Sequence, residues 1–262
     1  MRAYRRPSNP NRVIIWILSA IFGCGISIFI KPGESSAQQF IAEVETGGLW
    51  FSRNDVRIPN EEGTLFDMTT LTGTDPAPFL RLRLNLMLGD RHLLRVLYAP
   101  VEVSGSGQFE QEVFFEESTF QPDIMTEGTY QFNTYRLTYR YMFLDSRPWR
   151  LGAGAAVLVR DAEVKLEQEE LTERNTDLGV VPLVHLFAER YLTENFSLSF
   201  DAETLAGPQG RATDAAIAAN FAISNPLSFN IGYRVIEGGA DVGEVYNFAW
   251  INFGFIGITG SL

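Results

Sequence analysis

Beyond residue 38 the chain runs in short stretches where apolar and polar residues alternate singly, the period-2 pattern of strands with two unlike faces. The clearest stretch is 134–143, where Tyr135, Leu137, Tyr139, Tyr141 and Phe143 share one face. Thr134, Arg136, Thr138 and Arg140 take the other. Leu80, Leu82, Leu84, Leu86 and Leu88 alternate likewise with Arg81, Arg83, Asn85 and Met87. Clusters of Gly, Pro, Asn and Asp punctuate the pattern, and no stretch holds a helical period. The pattern predicts ten strands, near 39–52, 78–89, 92–106, 129–145, 149–166, 178–192, 196–206, 211–224, 227–236 and 245–259. Merging one hairpin gives an eight-stranded alternative.

The predicted connections fall into two kinds. Gly89-Asp90-Arg91, Ser146-Arg147-Pro148, Thr193-Glu194-Asn195 and Asn225-Pro226 are tight turns. Longer links near 53–77, 107–128, 167–177, 207–210 and 237–244 alternate with them, although 207–210 is short for its class. Outer-membrane barrels show this asymmetry, and an even strand count leaves both termini in the periplasm. Alternation is silent on which face points outward, because a lipocalin-type soluble barrel turns its apolar face in. Three features favour apolar outside. The many leucines and tyrosines would be hard to fit in a lumen. Aromatics such as Tyr98, Tyr130, Phe132, Tyr141, Phe143, Tyr191, Tyr233, Tyr246 and Trp250 fall near strand ends, where interfacial girdles form. The links also divide by length. The fold expected is therefore all-β, a transmembrane antiparallel up-and-down β-barrel over residues 38–262. The terminal Gly260-Ser261-Leu262 lacks the closing aromatic common in barrel-assembly signals.

Residues 1–37 follow the export pattern. Arg2, Arg5, Arg6 and Arg12 precede an apolar run of 18 residues, Val13 to Ile30, and Ser35-Ser36-Ala37 offers a signal-peptidase site. An uncleaved anchor and lipidation at Cys24 are the alternatives. Cleavage after Ala37 removes the single cysteine, so the barrel is expected to fold without a disulfide.

The leader takes five basic groups and one acid with it, leaving 16 basic and 31 acidic residues and a net charge of −15. That balance excludes a nucleic-acid partner, whose phosphates need a basic face. Lys165 is the only lysine left; the remaining bases are arginine, which suits forked pairing with carboxylates in a partly desolvated space. With the polar face inward, the expected lumen acids are Glu43, Glu45, Glu102, Glu163, Glu189, Asp201, Glu203 and Asp214. The expected bases are Arg81, Arg83, Arg95, Arg136, Arg140, Arg150, Arg160 and Arg234, with His185 among them. Glu43 and Glu45 have Arg81 and Arg83 as natural partners on the next strand, whereas Arg136 and Arg140 must look to Glu102 or across the lumen. Arg95 and Glu102 have opposite parity, as do Arg160 and Glu163. Holding all four inside requires bulges near Pro100 and Asp161.

The stretches NDVRIP (54–59), APVEVSG (99–105), NTYRLTYRY (133–141), LVRDAEV (158–164) and GYRVIEGGADVGEVYNFAW (232–250) are spread along the mature chain. Through them the chain resembles a family of uncharacterised bacterial outer-membrane β-barrel proteins. That resemblance implies a fold and a location, and it brings no activity with it.

Chemistry-bearing motifs are sparse. His185 and Glu189 share a strand face, but four residues span roughly 13 Å, so a catalytic partner would have to come from Ser197, Ser199 or Asp201. No phosphate loop, nucleophile motif or metal-ligand cluster stands out, and no cofactor is expected. Glu110, Glu112, Glu116, Glu117, Asp123 and Glu127 interleave with Phe109, Phe114, Phe115 and Phe120. They read as strands extended past the membrane around an acidic tip, with a cation bridge to lipopolysaccharide as the sharper reading. Glu237, Asp241 and Glu244 form a similar Gly-rich tip that could hold Ca²⁺. The expected role is non-enzymatic, structural or surface-interacting, among outer-membrane lipids and lipopolysaccharide. A narrow solute channel and a lipid- or peptide-cleaving enzyme around His185 are the rivals.

Overall fold

A computed structural model describes residues 39–208, 210–224 and 226–261. The leader, Cys24 and the cleavage site after Ala37 lie outside the described residues. The barrel strands are β1 (Gln39–Arg57), β3 (Ala77–Leu88), β4 (His92–Ala99), β8 (Met125–Ser146), β9 (Trp149–Gln168), β10 (Leu171–Tyr191), β11 (Phe196–Gly207), β12 (Gly210–Ser224), β13 (Leu227–Val242) and β14 (Val245–Ser261). Each pairs antiparallel with its neighbours in the order β14-β13-β12-β11-β10-β9-β8-β4-β3-β1, and β14 closes on β1 from Ile41↔Ser261 to Arg57↔Tyr246. The count is ten, not eight. Short strands β2 (Phe66–Asp67), β5 (Glu102–Gln108), β6 (Val113–Phe115) and β7 (Ser118–Phe120) belong to the longer connections or extend β4's place along β8.

Orientation follows from burial. Leu80, Leu82, Leu84, Tyr135, Leu137 and Tyr139 are exposed, while the residues between them, Arg81, Arg83, Arg136 and Arg140, are buried. The apolar face looks out and the polar face in, as a barrel in lipid requires.

The strands run longer than the alternation suggested. β8 has 22 residues and β10 has 21, about twice the length needed to cross a bilayer. Residues 171–177 and 237–242 are strand, so the expected links at 167–177 and 237–244 shrink to hairpin turns. Past the hydrocarbon the outer face no longer has to be apolar, and the period-2 signal fades although the ladder continues.

The two connections that are long fold inward. A helical turn, Thr69–Thr72, lies against glycines of β5 and β8: a Cβ on Gly128 would come within 2.8 Å of the Leu71 side chain, and one on Gly105 would overlap the Leu71 carbonyl. The β6–β7 hairpin places Phe115 and Phe120 beside Phe66, Met68, Leu166 and Phe51 in one apolar cluster. This corrects the expected acidic tip on extended strands. Phe109, Phe115 and Phe120 are core while Phe114 is half-buried, and part of the acidic set is engaged: Asn175 Nδ2 donates to Glu116 Oε1 at 2.5 Å. Ser118 Oγ donates to Glu173 at 2.5 Å, and the Gln121 amide to Gln168 Oε1 at 2.8 Å. The extensions of β9 and β10 are the wall to which the hairpin is strapped.

Candidate functional site

Below the apolar cluster the lumen is filled by charge. Glu45 on β1 accepts two hydrogen bonds from Arg83 on β3, at 2.5 and 3.1 Å, and one from Arg234 on β13 at 3.2 Å. Arg81 Nε lies 3.7 Å from the same carboxylate. Register places Glu45 opposite Arg81 and Glu43 opposite Arg83, so the Arg83–Glu45 bonds are diagonal ones. Arg83 also reaches Glu43 at 3.0 Å.

Asp214 on β12 is the hub of the upper layer. It accepts from Arg81 at 2.9 Å, Arg136 at 2.9 Å and Arg234 at 2.6 Å. Arg136 also pairs with Glu203 on β11, whose other oxygen accepts from Thr138 Oγ1 at 2.6 Å. A layer closer to the tight turns joins Arg95 and Arg140 to Asp201 at 2.9 and 2.7 Å, with Asn85 Oδ1 taking the Nε proton of Arg95. Six arginines (81, 83, 95, 136, 140, 234) thus meet five carboxylates (Glu43, Glu45, Asp201, Glu203, Asp214). Room for these long side chains comes from small residues facing them. A Cβ on Gly152 of β9 would come 3.0 Å from the Arg140 stem.

Arg150 pairs with Asp145 at 3.0 Å and Glu189 at 3.1 Å near the tight turns, and is partly exposed there. Arg160 faces the lumen nearer the loop end and pairs with Asp177 of β10. Asp177 lies in a stretch whose pattern predicts a loop but which is strand in β10.

Glu102 and Glu163 are not in the lumen. Ala99↔Thr134 and Glu102↔Gln131 keep one register on β8, so Pro100 interrupts the strand without re-aiming it, and Glu102 is exposed. Likewise Arg160↔Thr134 and Gln131↔Glu163 share a register, which turns Glu163 outward, 3.5 Å from Arg174. Bulges do occur, at Phe51/Arg53, Met142/Leu144 and Ala222/Ser224. None falls where those acids needed one.

His185 has no exposed surface and lies opposite Glu203 in the β10–β11 ladder. Arg140 Nε donates to its Nε2 at 2.8 Å, which leaves the ring proton on Nδ1, 3.4 Å from Glu203 and 3.9 Å from Asp201. Ser197 Oγ donates to Glu189 at 2.6 Å, and Asn220 donates to Ser199 at 3.0 Å. Neither serine forms a dyad with His185. The ring is a neutral spacer between arginine and carboxylates. Asn85, Thr134 and Thr138, which the alternation puts on the polar face but outside the expected charge set, are buried beside the arginines.

No protein-family model matches the chain, and no curated protein does. Among solved structures, the outer membrane protease OmpT from Escherichia coli has a similar fold, with a TM-score of 0.55 at 10% identity over 86% of this chain and 97% of that one. The translocator domain of the autotransporter NalP from Neisseria meningitidis gives 0.42 at 11% identity, covering 95% of each chain. Ail, the attachment invasion locus protein of Yersinia pestis, gives 0.38 at 8%, over 86% of this chain and 99% of that one. At these identities the likeness is one of fold. The closed antiparallel barrel with its apolar face outward is the architecture of an outer-membrane β-barrel, and the OmpT likeness agrees with that fold.

Proposed function

We propose that this barrel is a closed, non-conducting and non-enzymatic element of the outer membrane, a stable platform that presents its loop end to lipopolysaccharide and other surface partners. The observation that carries the reading is a lumen obstructed twice, by the ion-paired layer around Asp214 and by the apolar cluster of Phe51, Phe66, Phe115 and Phe120 above it. Breaking a buried pair by removing one member costs roughly 3–5 kcal/mol, so an ion cannot displace these arginines cheaply. An enzymatic reading around His185 lacks a route to the ring, which side chains enclose.

Solute efflux from proteoliposomes tests the proposal. Vesicles loaded with a small sugar and a small amino acid should lose them no faster with the protein than without it. Selective, protein-dependent efflux of either would overturn the closed-barrel reading in favour of a narrow channel.

A further inference from the structure

Toward the loop end the barrel ladder is interrupted by seams in two places, between β3 and β4 beyond Leu82↔Tyr98 and between β10 and β11. β10 and β11 pair from Val184↔Thr204 to Tyr191↔Ser197, yet both strands continue past the last pair, β10 back to Leu171 and β11 on to Gly207. Carrying the register forward would set Leu183 against Leu205 and Val181 against Gly207, but no ladder forms there. Pro182, in the same stretch, has no N–H to give to a ladder. Unpaired strand edges at membrane depth are tolerated where protein buries them or where they line a wet cavity. A cavity of about 410 Å³ lies behind this seam.

Its walls are mostly apolar, with Leu158, Val181, Leu183, Leu205, Ala212 and Ile236 around a floor formed by Arg136 and Asp214. The volume falls within the ~300–1,000 Å³ typical of small-molecule sites. The lining continues through the seam to Val180 and Pro182, and Val180 is 67% exposed on the face that meets lipid. Leu178 and Val184 flank it on that face and are exposed too. The cavity is thus open at the loop end, where Gly207, Pro208 and Arg211 line it, and sideways through the seam, where the outer face meets lipid. What it meets there, at very high local concentration, is lipid tails.

We propose that the β10–β11 seam is a lateral portal, and that the cavity behind it takes an acyl chain of a lipid from the membrane leaflet nearer the loop end. The chain enters without breaking ladder hydrogen bonds, because none joins the two edges there. Its methylenes meet leucine, valine and isoleucine on the walls, and the ion-paired floor stops it from going deeper. The proposal is independent of the closed-lumen reading: a tail seated from the side leaves the axial path blocked.

Photo-crosslinking of the full chain in phosphatidylethanolamine vesicles tests it, using a phospholipid that carries a diazirine within one acyl chain. Peptide mass spectrometry should find adducts on Val181, Leu183, Leu205 and Ala212, several-fold above those on Phe253 and Phe255, which face the lumen away from the seam. Gly207→Phe places an aromatic ring where a Cβ meets nothing within 4 Å. It should abolish the cavity adducts while keeping those on Val180 and Leu186 of the outer face. Ala212→Leu fills the opposite wall and serves if Gly207→Phe fails to reach the folded, heat-modifiable form. Cavity residues labelled no more than Phe253, or cavity adducts unchanged by the filling variants, would overturn the proposal. Solute efflux is read separately, so failure here is distinguishable from failure of the closed-barrel reading.

Discussion

Asp214 offers the sharpest perturbation of the ion-paired lumen. Replacing it by Asn keeps the volume and one acceptor oxygen but removes the charge that Arg81, Arg136 and Arg234 share. The cluster then holds six arginines against four carboxylates, with Asp214 and its three partners no more than 4% exposed. A buried charge left without its counter-charge costs roughly 3–5 kcal/mol. Arg81→Met is the matched control. It keeps an apolar stem, leaves five arginines against five carboxylates, and Asp214 retains Arg136 and Arg234 while Glu45 retains Arg83 and Arg234. Its cost should stay near about 1.5 kcal/mol, the lower figure for a hydrogen bond to a charged group. Urea unfolding in lipid vesicles, followed by the fluorescence of Trp50, Trp149 and Trp250, separates the two. With a slope of roughly 1–3 kcal/mol per molar urea, a difference of about 2 kcal/mol moves the midpoints apart by on the order of 1 M. If Arg81→Met proves as costly as Asp214→Asn, or Asp214→Asn is neutral, water solvates the layer and charge balance does not govern it.

Three further outcomes follow. Mass spectrometry of the purified protein should find Gln38 as the first residue, from cleavage at Ser35-Ser36-Ala37; a lipid-modified Cys24 would defeat this and the thiol-free barrel with it. Protease added to intact cells should nick the connections at 58–76 or 109–124 and spare the turns at 89–91 and 147–148, and cleavage only after the outer membrane is permeabilised would invert the topology. Phe115→Ala empties a fully buried site beside Phe66, at a cost of roughly 3–5 kcal/mol to the mouth cluster. Proteolysis within 109–124 should accelerate while the barrel itself stays folded, and an unchanged rate would show that the hairpin is held by its polar straps alone.

What the sequence made legible tracks what lipid constrains. Where one face meets hydrocarbon, alternation is strict, and it places Arg81, Arg83, Arg136, Arg140 and Arg234 inward correctly. Pairs between adjacent strands, such as Glu45 with Arg83, could be anticipated from one hairpin. Pairs across the lumen could not, because Arg136 on β8 reaches Asp214 on β12 only after the sheet has closed. Glu102 and Glu163 were misplaced by invoking bulges to bring their charges inside; parity alone, taken at face value, puts both outside. Asp177 and the strand ends near it were missed because polar residues beyond the membrane erase the signal. The mouth cluster had a readable trace in Val113-x-Phe115 and Phe120, apolar positions in an otherwise acidic connection. That trace could not say that the connection folds back over the lumen.

Single-molecule conductance in planar bilayers tests the closed lumen most directly. The wild-type protein, inserted and confirmed folded by its heat-modifiable mobility, should give no stable conductance steps at moderate voltage, and Phe115→Ala should give none either, because the Asp214 layer lies beneath the mouth. Long-lived, ion-selective steps from the wild-type protein would contradict the account and establish a channel through the arginine layer.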